Sequence, residues 1–130
     1  MSLNYVMLGS NDVEKARGFY DAVLPAIGGK VTAEYMPHAF CYELREGGRV
    51  WVAPPFTEET AVSGNGNIVG FACETKEEVD AAHRIALVQG GTNQGDPGPR
   101  PLYGPDFYGA YVRDLDGNKM SFVCLGEGQQ

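Results

Sequence analysis

Histidine and cysteine side chains, the usual carriers of metal and nucleophilic chemistry, are few in this sequence and widely separated. His38 follows a proline at the start of a predicted strand, and His83 lies on the buried stripe of a predicted helix. Neither has a second potential ligand at helical or hairpin spacing. Cys41, Cys73 and Cys124 form no C-x-x-C pair, and each lies in an apolar run. We expect buried, reduced thiols rather than a disulfide or a zinc site.

Hydrolase and carboxylate-pair chemistry also lack their sequence signatures. No G-x-S-x-G is present, and Ser121 has apolar neighbours on its own predicted strand. Glu34 and Glu43 lie on adjacent predicted strands and could approach one another. Solvated edge charges are the simpler interpretation of these two residues. The residues alone therefore do not predict an enzyme.

Composition limits the possible partners. The chain has 130 residues, 43% of them hydrophobic, which fits one globular domain. Its net charge of −7 and the lack of a basic cluster argue against nucleic acid and anionic membranes as partners. No apolar run approaches the ~20 residues of a spanning helix, and the first residues do not resemble a signal peptide. We expect a soluble, cytoplasmic protein.

Apolar periodicity and turn residues predict a strand, a helix and three strands in the first half of the chain. The first strand, residues 3–10, ends at a Gly-Ser-Asn-Asp turn that can cap a helix, with Glu14 in its first turn. An apolar stripe continues that helix to Ile27, where two glycines end it. Three strands should follow at about 30–36, 39–45 and 49–53.

The second half repeats this plan. Residues 67–73 form the predicted strand, and Thr75 caps the next helix with Glu78 three residues later, as in a capping box. A short strand and a long loop follow. The last two strands, at about 107–113 and 119–125, are joined by an Asp-Leu-Asp-Gly-Asn hairpin turn.

The two halves form a tandem repeat with boundaries at about 1–62 and 63–130. Gly28 matches Gly91 at an offset of 63 residues, whereas the hairpin turns match at an offset of 70. The second half has therefore gained about seven residues, which we place in the loop 94–105. Such loops often bind ligands, but a rigid proline-rich surface excursion is an equal alternative.

Several motifs, in this order, carry a family resemblance: VMLGSNDVEKARGFY at 6–20, PGPRP at 97–101, YGAY at 108–111 and DLDGNKM at 114–120. They resemble the vicinal-oxygen-chelate superfamily, which includes glyoxalase I, extradiol dioxygenases and bleomycin-resistance proteins, and especially its bacterial glyoxalase-related branch. The resemblance implies an α+β fold of two tandem βαβββ modules that form a curved mixed sheet around a cleft. It also implies a homodimer, which would cover the open sheet edges.

Metal-dependent members of that superfamily take their ligands from the first and fourth strands of each module. Strand alternation places Tyr5, Trp51, Ile68 and Ser121 at the corresponding positions. Trp and Ile cannot ligate a metal, and neutral Ser and Tyr are poor ligands. We therefore predict no metal and no other cofactor.

A cleft with this lining is aromatic and nearly uncharged, which suits a flat, apolar or aromatic small molecule. Arg100 on the long loop could pair with a ligand carboxylate. Alternatively, Trp51 and Tyr5 fill the space and close the cleft. The predicted ligand-binding residues are Tyr5, Met7, Trp51, Ile68, Arg100, Tyr103, Tyr111 and Ser121.

Three functional interpretations follow. The first is a metal-independent small-molecule-binding protein, as in the bleomycin-resistance branch. The second is a lactoylglutathione-lyase-like or dioxygenase-like enzyme that uses a divergent residue set. The third is an interaction or structural protein whose cleft has been filled.

Overall fold

The structure, a computed structural model, describes residues 2–126. Met1 and residues 127–130, the extreme ends of the two predicted modules, lie outside the described residues. The regular elements are β1 Tyr5–Gly9, α1 Val13–Val23, β2 Lys30–Tyr35, β3 Ala39–Glu43, β4 Arg49–Ala53, β5 Val69–Ala72, α2 Lys76–Val88, β6 Thr92–Pro99, β7 Tyr108–Arg113 and β8 Lys119–Cys124.

The strands form two four-stranded sheets with the same order. The N-terminal sheet runs β1-β4-β3-β2, and the C-terminal sheet runs β5-β8-β7-β6. In each sheet the first and last strands of the module pair in parallel, and the other pairs are antiparallel. The predicted α+β fold of two βαβββ modules is confirmed. Among the described residues, no helix has the length and apolarity needed to cross a membrane.

Both helices begin where the sequence predicts. Asp12 caps α1 by accepting a hydrogen bond from the Lys15 amide at 3.1 Å, and Thr75 caps α2 by accepting one from the Glu78 amide at 3.1 Å. The end of α1 differs from the prediction. The helix stops at Val23, and Leu24–Ile27 form a 3₁₀ turn because a proline at its start cannot donate a backbone hydrogen bond.

The predicted loop 94–105 requires a correction, because its first half is part of a strand. β6 continues to Pro99 and pairs with β7, with irregular register between Asn93 and Gly95 and between Gly95 and Gly98. Two prolines are tolerated there because β6 is an edge strand, and the glycines permit the bulges. The extra residues therefore lengthen the edge strand β6 before the chain turns at Pro101–Tyr103.

One hydrophobic cluster joins the two modules. Each sheet packs one face against the helices, and side chains of both sheets and both helices contact one another in this core. Leu8, Phe71 and Phe122 lie on the inward face, as strand alternation predicts, and are 6%, 2% and 0% exposed. Burial of this apolar area is the main force that holds the modules together.

A buried hydrogen-bond network ties the last hairpin to α1. The Tyr20 hydroxyl donates to Asp114 Oδ2 at 2.5 Å, and Asp114 is 5% exposed. Asp114 Oδ1 also accepts from the amides of Asp116 and Asn118, at 2.9 and 2.8 Å. The Asn118 side chain donates to the Gly9 carbonyl at 2.9 Å. Burial and the adjacent Asp114 raise the pKa of Tyr20 well above its usual range, so the hydroxyl remains a donor.

The first module contributes an equivalent contact at the start of α2. Arg45, in the turn between β3 and β4, donates to both carboxylate oxygens of Glu78 at 3.0 Å and contacts Glu74 at 3.1 Å. Arg45 lowers the pKa of Glu78 through this hydrogen bond. Each module therefore places its last hairpin turn against the helix of the other module. We call the Tyr20–Asp114–Asn118 network and the Arg45–Glu78 pair the module clasp.

Removal of the buried half of the clasp should destabilise the whole chain. We expect Tyr20→Phe to lower the free energy of unfolding by about 1 kcal/mol and Asp114→Ala by about 3 kcal/mol, because the latter leaves several donors without an acceptor. Urea denaturation measures both values. Tyr103→Phe, which removes a hydroxyl from an exposed ring, is the control. Equal stability of Asp114→Ala and the native chain would contradict the role of the clasp.

Candidate functional site

Each sheet has a face that points away from the core, which we call its open face. Tyr5, Met7 and Ile68 lie on these faces and are 55%, 52% and 47% exposed. In a single chain these side chains do not fill the space above the sheets. This exposure disagrees with the interpretation that the cleft has become part of a closed core.

The open face of the N-terminal sheet carries a pair of stacked aromatic rings. The centroids of Tyr35 and Trp51 are 6.1 Å apart, and their planes differ by 10°. Trp51 lies opposite Met7 on β1 and opposite Cys41 on β3. We call Tyr35 and Trp51 the aromatic shelf. Such a surface can stack against a flat ligand.

Cys41 lies at the floor of this face. It is 0% exposed, although it belongs to the same face as Trp51. Burial raises the pKa of the Cys41 thiol, and the nearby Arg49 only partly opposes that effect. The thiol is therefore protonated at neutral pH, which agrees with the prediction of an inert cysteine.

The open face of the C-terminal sheet carries a tyrosine flanked by two cations. The guanidinium carbon of Arg100 lies 5.6 Å from the centroid of the Tyr111 ring, and the Lys119 ammonium lies 5.7 Å from it. Tyr111 pairs with Ser121 across the β7–β8 ladder, and Ser121 is 5% exposed. We call Arg100, Tyr111 and Lys119 the cation–tyrosine cluster.

Glycines on β6 make room for this cluster. A Cβ on Gly95 would lie 2.9 Å from Tyr111 Cδ2, and one on Gly98 would lie 3.3 Å from Arg100 Nη1. Arg100 also donates to the carbonyls of Asp96 and Pro99, at 2.7 and 3.3 Å. Hydrogen bonds to two residues of β6 thus hold the guanidinium beside the Tyr111 ring.

One groove brings residues of β1 together with residues of the second module. Met7 from the N-terminal sheet and Ile68, Asn67 and Lys119 from the second module line one groove of about 540 Å³. Met7 is the neighbour of Trp51, and Lys119 is part of the cation–tyrosine cluster. A strip of ligand-accessible surface therefore runs from the aromatic shelf to the cations.

The four positions of the family's metal ligands do not offer a suitable donor set. Trp51 and Ile68 have no ligating atom, and Tyr5 and Ser121 are neutral hydroxyls that bind divalent ions poorly. Within residues 2–126, no group of three or more His, Cys, Asp or Glu side chains is arranged to hold a metal. The residues present do not fit the metal that the family implies.

The remaining predicted residues lie apart from the strip. The Tyr103 ring packs edge-on against Phe107, with centroids 5.3 Å apart, at the tip of the loop after β6. His83 is 4% exposed and lies 3.0 Å from Asn93 Oδ1, consistent with a packing role. His38 is exposed in the turn after β2.

Glu34 and Glu43 do not form a carboxylate pair. Glu34 binds Arg17 of α1, on the core side of the sheet. Glu43 lies opposite Lys30 and Arg49 on the other face.

Three residues of the open faces lie outside the predicted ligand-binding set: Tyr35, Cys41 and Lys119. Tyr35 and Lys119 belong to the strip, whereas Cys41 is buried beneath it. Each shares a face with Trp51 or Ser121 by strand alternation, which would have found them on β2, β3 and β8. Lys119 is two residues before Ser121 and therefore shares its face.

Comparisons with known proteins identify relatives. A sequence model of the Glyoxalase/Bleomycin resistance protein/Dioxygenase superfamily matches residues 2–122. A solved glyoxalase/bleomycin resistance protein from Albidiferax ferrireducens T118 is 33% identical over 95% of this chain and 98% of its own, with a TM-score of 0.84. TioX from Micromonospora sp. ML1 is similar in fold at 20% identity, 97% and 100% coverage and a TM-score of 0.67. No curated protein matches the chain.

Thiol labelling tests whether Trp51 covers Cys41. All three cysteines are buried, and burial raises the pKa of Cys73 to about 12, so the native chain should not react with Ellman's reagent. Trp51→Ala should make one thiol reactive, because a small side chain uncovers its neighbour, whereas Trp51→Phe should not. Mass spectrometry should identify that thiol as Cys41. Rapid labelling of the native chain, or labelling at Cys73 in Trp51→Ala, would contradict this arrangement.

Proposed function

Because the chain belongs to the Glyoxalase/Bleomycin resistance protein/Dioxygenase superfamily, we propose that it binds a flat aromatic small molecule on its open sheet faces without a metal ion. The observation that carries this proposal is the aromatic shelf of Tyr35 and Trp51, with rings 6.1 Å apart. The shelf lies beside positions that offer no metal ligands. Stacking, rather than coordination, is the chemistry available on this face.

The ligand-binding strip comprises residues from both modules, which we propose act as one unit over residues 1–130. Trp51 and Met7 supply apolar contact on the N-terminal sheet, and Ile68 continues it across the groove. Tyr111 and Ser121 provide hydroxyl groups on the C-terminal sheet. Tyr103 takes part only if the loop tip moves toward the strip.

Enzymatic chemistry of the lyase or dioxygenase type is the alternative, and no observation on the described residues favours it. In the superfamily's metal-dependent members a metal polarises the substrate oxygens or activates dioxygen. The donor set here does not fit that metal. The buried, protonated Cys41 and the separated carboxylates of Glu34 and Glu43 do not replace it.

We also propose that the protein is a cytosolic homodimer in which a second copy covers part of the open faces. Tyr5 is half-exposed and lies outside the groove that Met7 and Ile68 line, so association through Tyr5 would bury apolar area without closing the groove. The three cysteines are buried and form no disulfide within residues 2–126, which is compatible with a reducing compartment. Sedimentation equilibrium should give twice the chain mass of 14.0 kDa, and a persistent 14.0 kDa species at micromolar concentration would contradict the dimer.

A neutral fluorescent aromatic, N-phenyl-1-naphthylamine, tests binding at the aromatic shelf. We expect its emission to rise in the presence of the native chain. Tyr35→Ala should weaken its binding about threefold to tenfold, because one aromatic contact is lost. Tyr35 is 62% exposed, so this change should leave the thermal unfolding midpoint nearly unchanged.

Phe56→Ala is the matched control, because it removes an aromatic ring that is fully exposed on the loop between the modules. Its affinity for the probe should equal that of the native chain. An equal loss of affinity in both variants, or no binding by the native chain, would contradict the proposal.

A further inference from the structure

Two cations on the open face of the C-terminal sheet, Arg100 and Lys119, form no ion pair with any acidic residue among residues 2–126. Within residues 2–126, the ion pairs join Arg17 to its acidic neighbours and Arg45 to Glu74 and Glu78. No described carboxylate lies within 4.0 Å of the charged nitrogens of Arg100 or Lys119. Instead, both cations contact the ring of Tyr111.

The positive charges of Arg100 and Lys119 contrast with the acidic character of the whole chain. At −7, the chain as a whole repels anions. A local cluster of two positive charges, with no described carboxylate within 4.0 Å of either, therefore creates an exception on one face. Such a cluster attracts a negatively charged group at short range, where screening by salt is weakest.

The sequence and backbone around Arg100 hold its guanidinium in place. Two of its nitrogens donate to the carbonyls of Asp96 and Pro99, which fixes the group without neutralising it. A guanidinium has five N–H donors, so further donors remain for a ligand. Glycines 95 and 98 leave the space that this arrangement needs, since a Cβ on either would come within 3.5 Å of Arg100.

Lys119 connects this cluster to the apolar side chains of the strip. It lines the same groove as Met7 and Ile68. Met7 lies opposite Trp51 of the aromatic shelf. A ligand whose ring contacts these apolar side chains can therefore direct a charged substituent toward Lys119 and Arg100.

We propose that the cation–tyrosine cluster recognises an oxyanion substituent, so that the ligand is an aromatic acid such as an aromatic carboxylate or sulfonate. This inference rests on the proposed binding of a flat aromatic molecule and specifies its charge. Arg100 and Lys119 contact the oxyanion, while the Tyr111 ring positions both cations. The neutral hydroxyl of Ser121 lies beside them on the same face.

The inference can be tested with two fluorescent probes, one of which carries a sulfonate group that the other lacks. The neutral probe is N-phenyl-1-naphthylamine, and the anionic probe is 8-anilinonaphthalene-1-sulfonate. We expect the native protein to bind the anionic probe about tenfold more tightly than the neutral probe at low salt, because the sulfonate can form two partly exposed ion pairs. That preference should shrink strongly near 1 M salt, where the screening length is about 3 Å.

Arg100→Gln and Lys119→Gln should each weaken binding of the sulfonate probe more than binding of the neutral probe, so that the preference for the sulfonate falls. Lys76→Gln is the matched control, because Lys76 lies 5.5 Å from the ring of Tyr108 but outside the strip. This control should retain the full preference. Unchanged near-UV circular dichroism identifies variants that keep their packing, and Lys119→Gln gives an independent result if Arg100→Gln unfolds.

The outcomes separate this inference from the proposed function. If the neutral probe binds at the aromatic shelf but the sulfonate gives no advantage, the charge assignment is wrong and the proposed function stands. A sulfonate advantage that survives both Arg100→Gln and Lys119→Gln also overturns the assignment. If neither probe binds, both proposals fail.

Discussion

The buried hydrogen bond from Tyr20 to Asp114 joins the helix of the first module to the last hairpin of the second. Arg45 and Glu78 form the corresponding contact in the opposite direction. With the hydrophobic core common to both modules, these contacts fix the two sheets relative to each other. Met7 and Lys119 therefore line one groove. The proposed ligand-binding strip depends on this arrangement, because the aromatic shelf lies on one sheet and the cation–tyrosine cluster lies on the other.

Much of the fold could be predicted because its determinants are local. Asp12 and Thr75 cap the two helices, and alternation along each strand separates Leu8 from Met7 correctly. The strand β6 could not be predicted in full, because its prolines and glycines are typical of loops. Only pairing with β7 across bulges makes that segment a strand. Interactions between neighbours in space overrode the local preference.

The candidate site was predictable in part for the same reason. Alternation places Trp51 and Ser121 on the open faces, but the stacking of Tyr35 on Trp51 requires the register of three strands, β2, β3 and β4. Likewise, Arg100 reaches Tyr111 only because glycines on β6 permit a close approach. The sequence therefore indicates which side chains face outward, whereas their grouping into an aromatic shelf and a cation–tyrosine cluster depends on tertiary structure.

The central claim is that aromatic stacking on the open faces replaces metal coordination. The most direct measurement is the affinity for N-phenyl-1-naphthylamine before and after exhaustive chelation of divalent ions, followed by their restoration. Because Tyr5, Trp51, Ile68 and Ser121 offer no suitable donor set, we expect the same affinity in all three states. Loss of binding on chelation, with recovery when zinc, nickel or manganese is added back, would contradict the account.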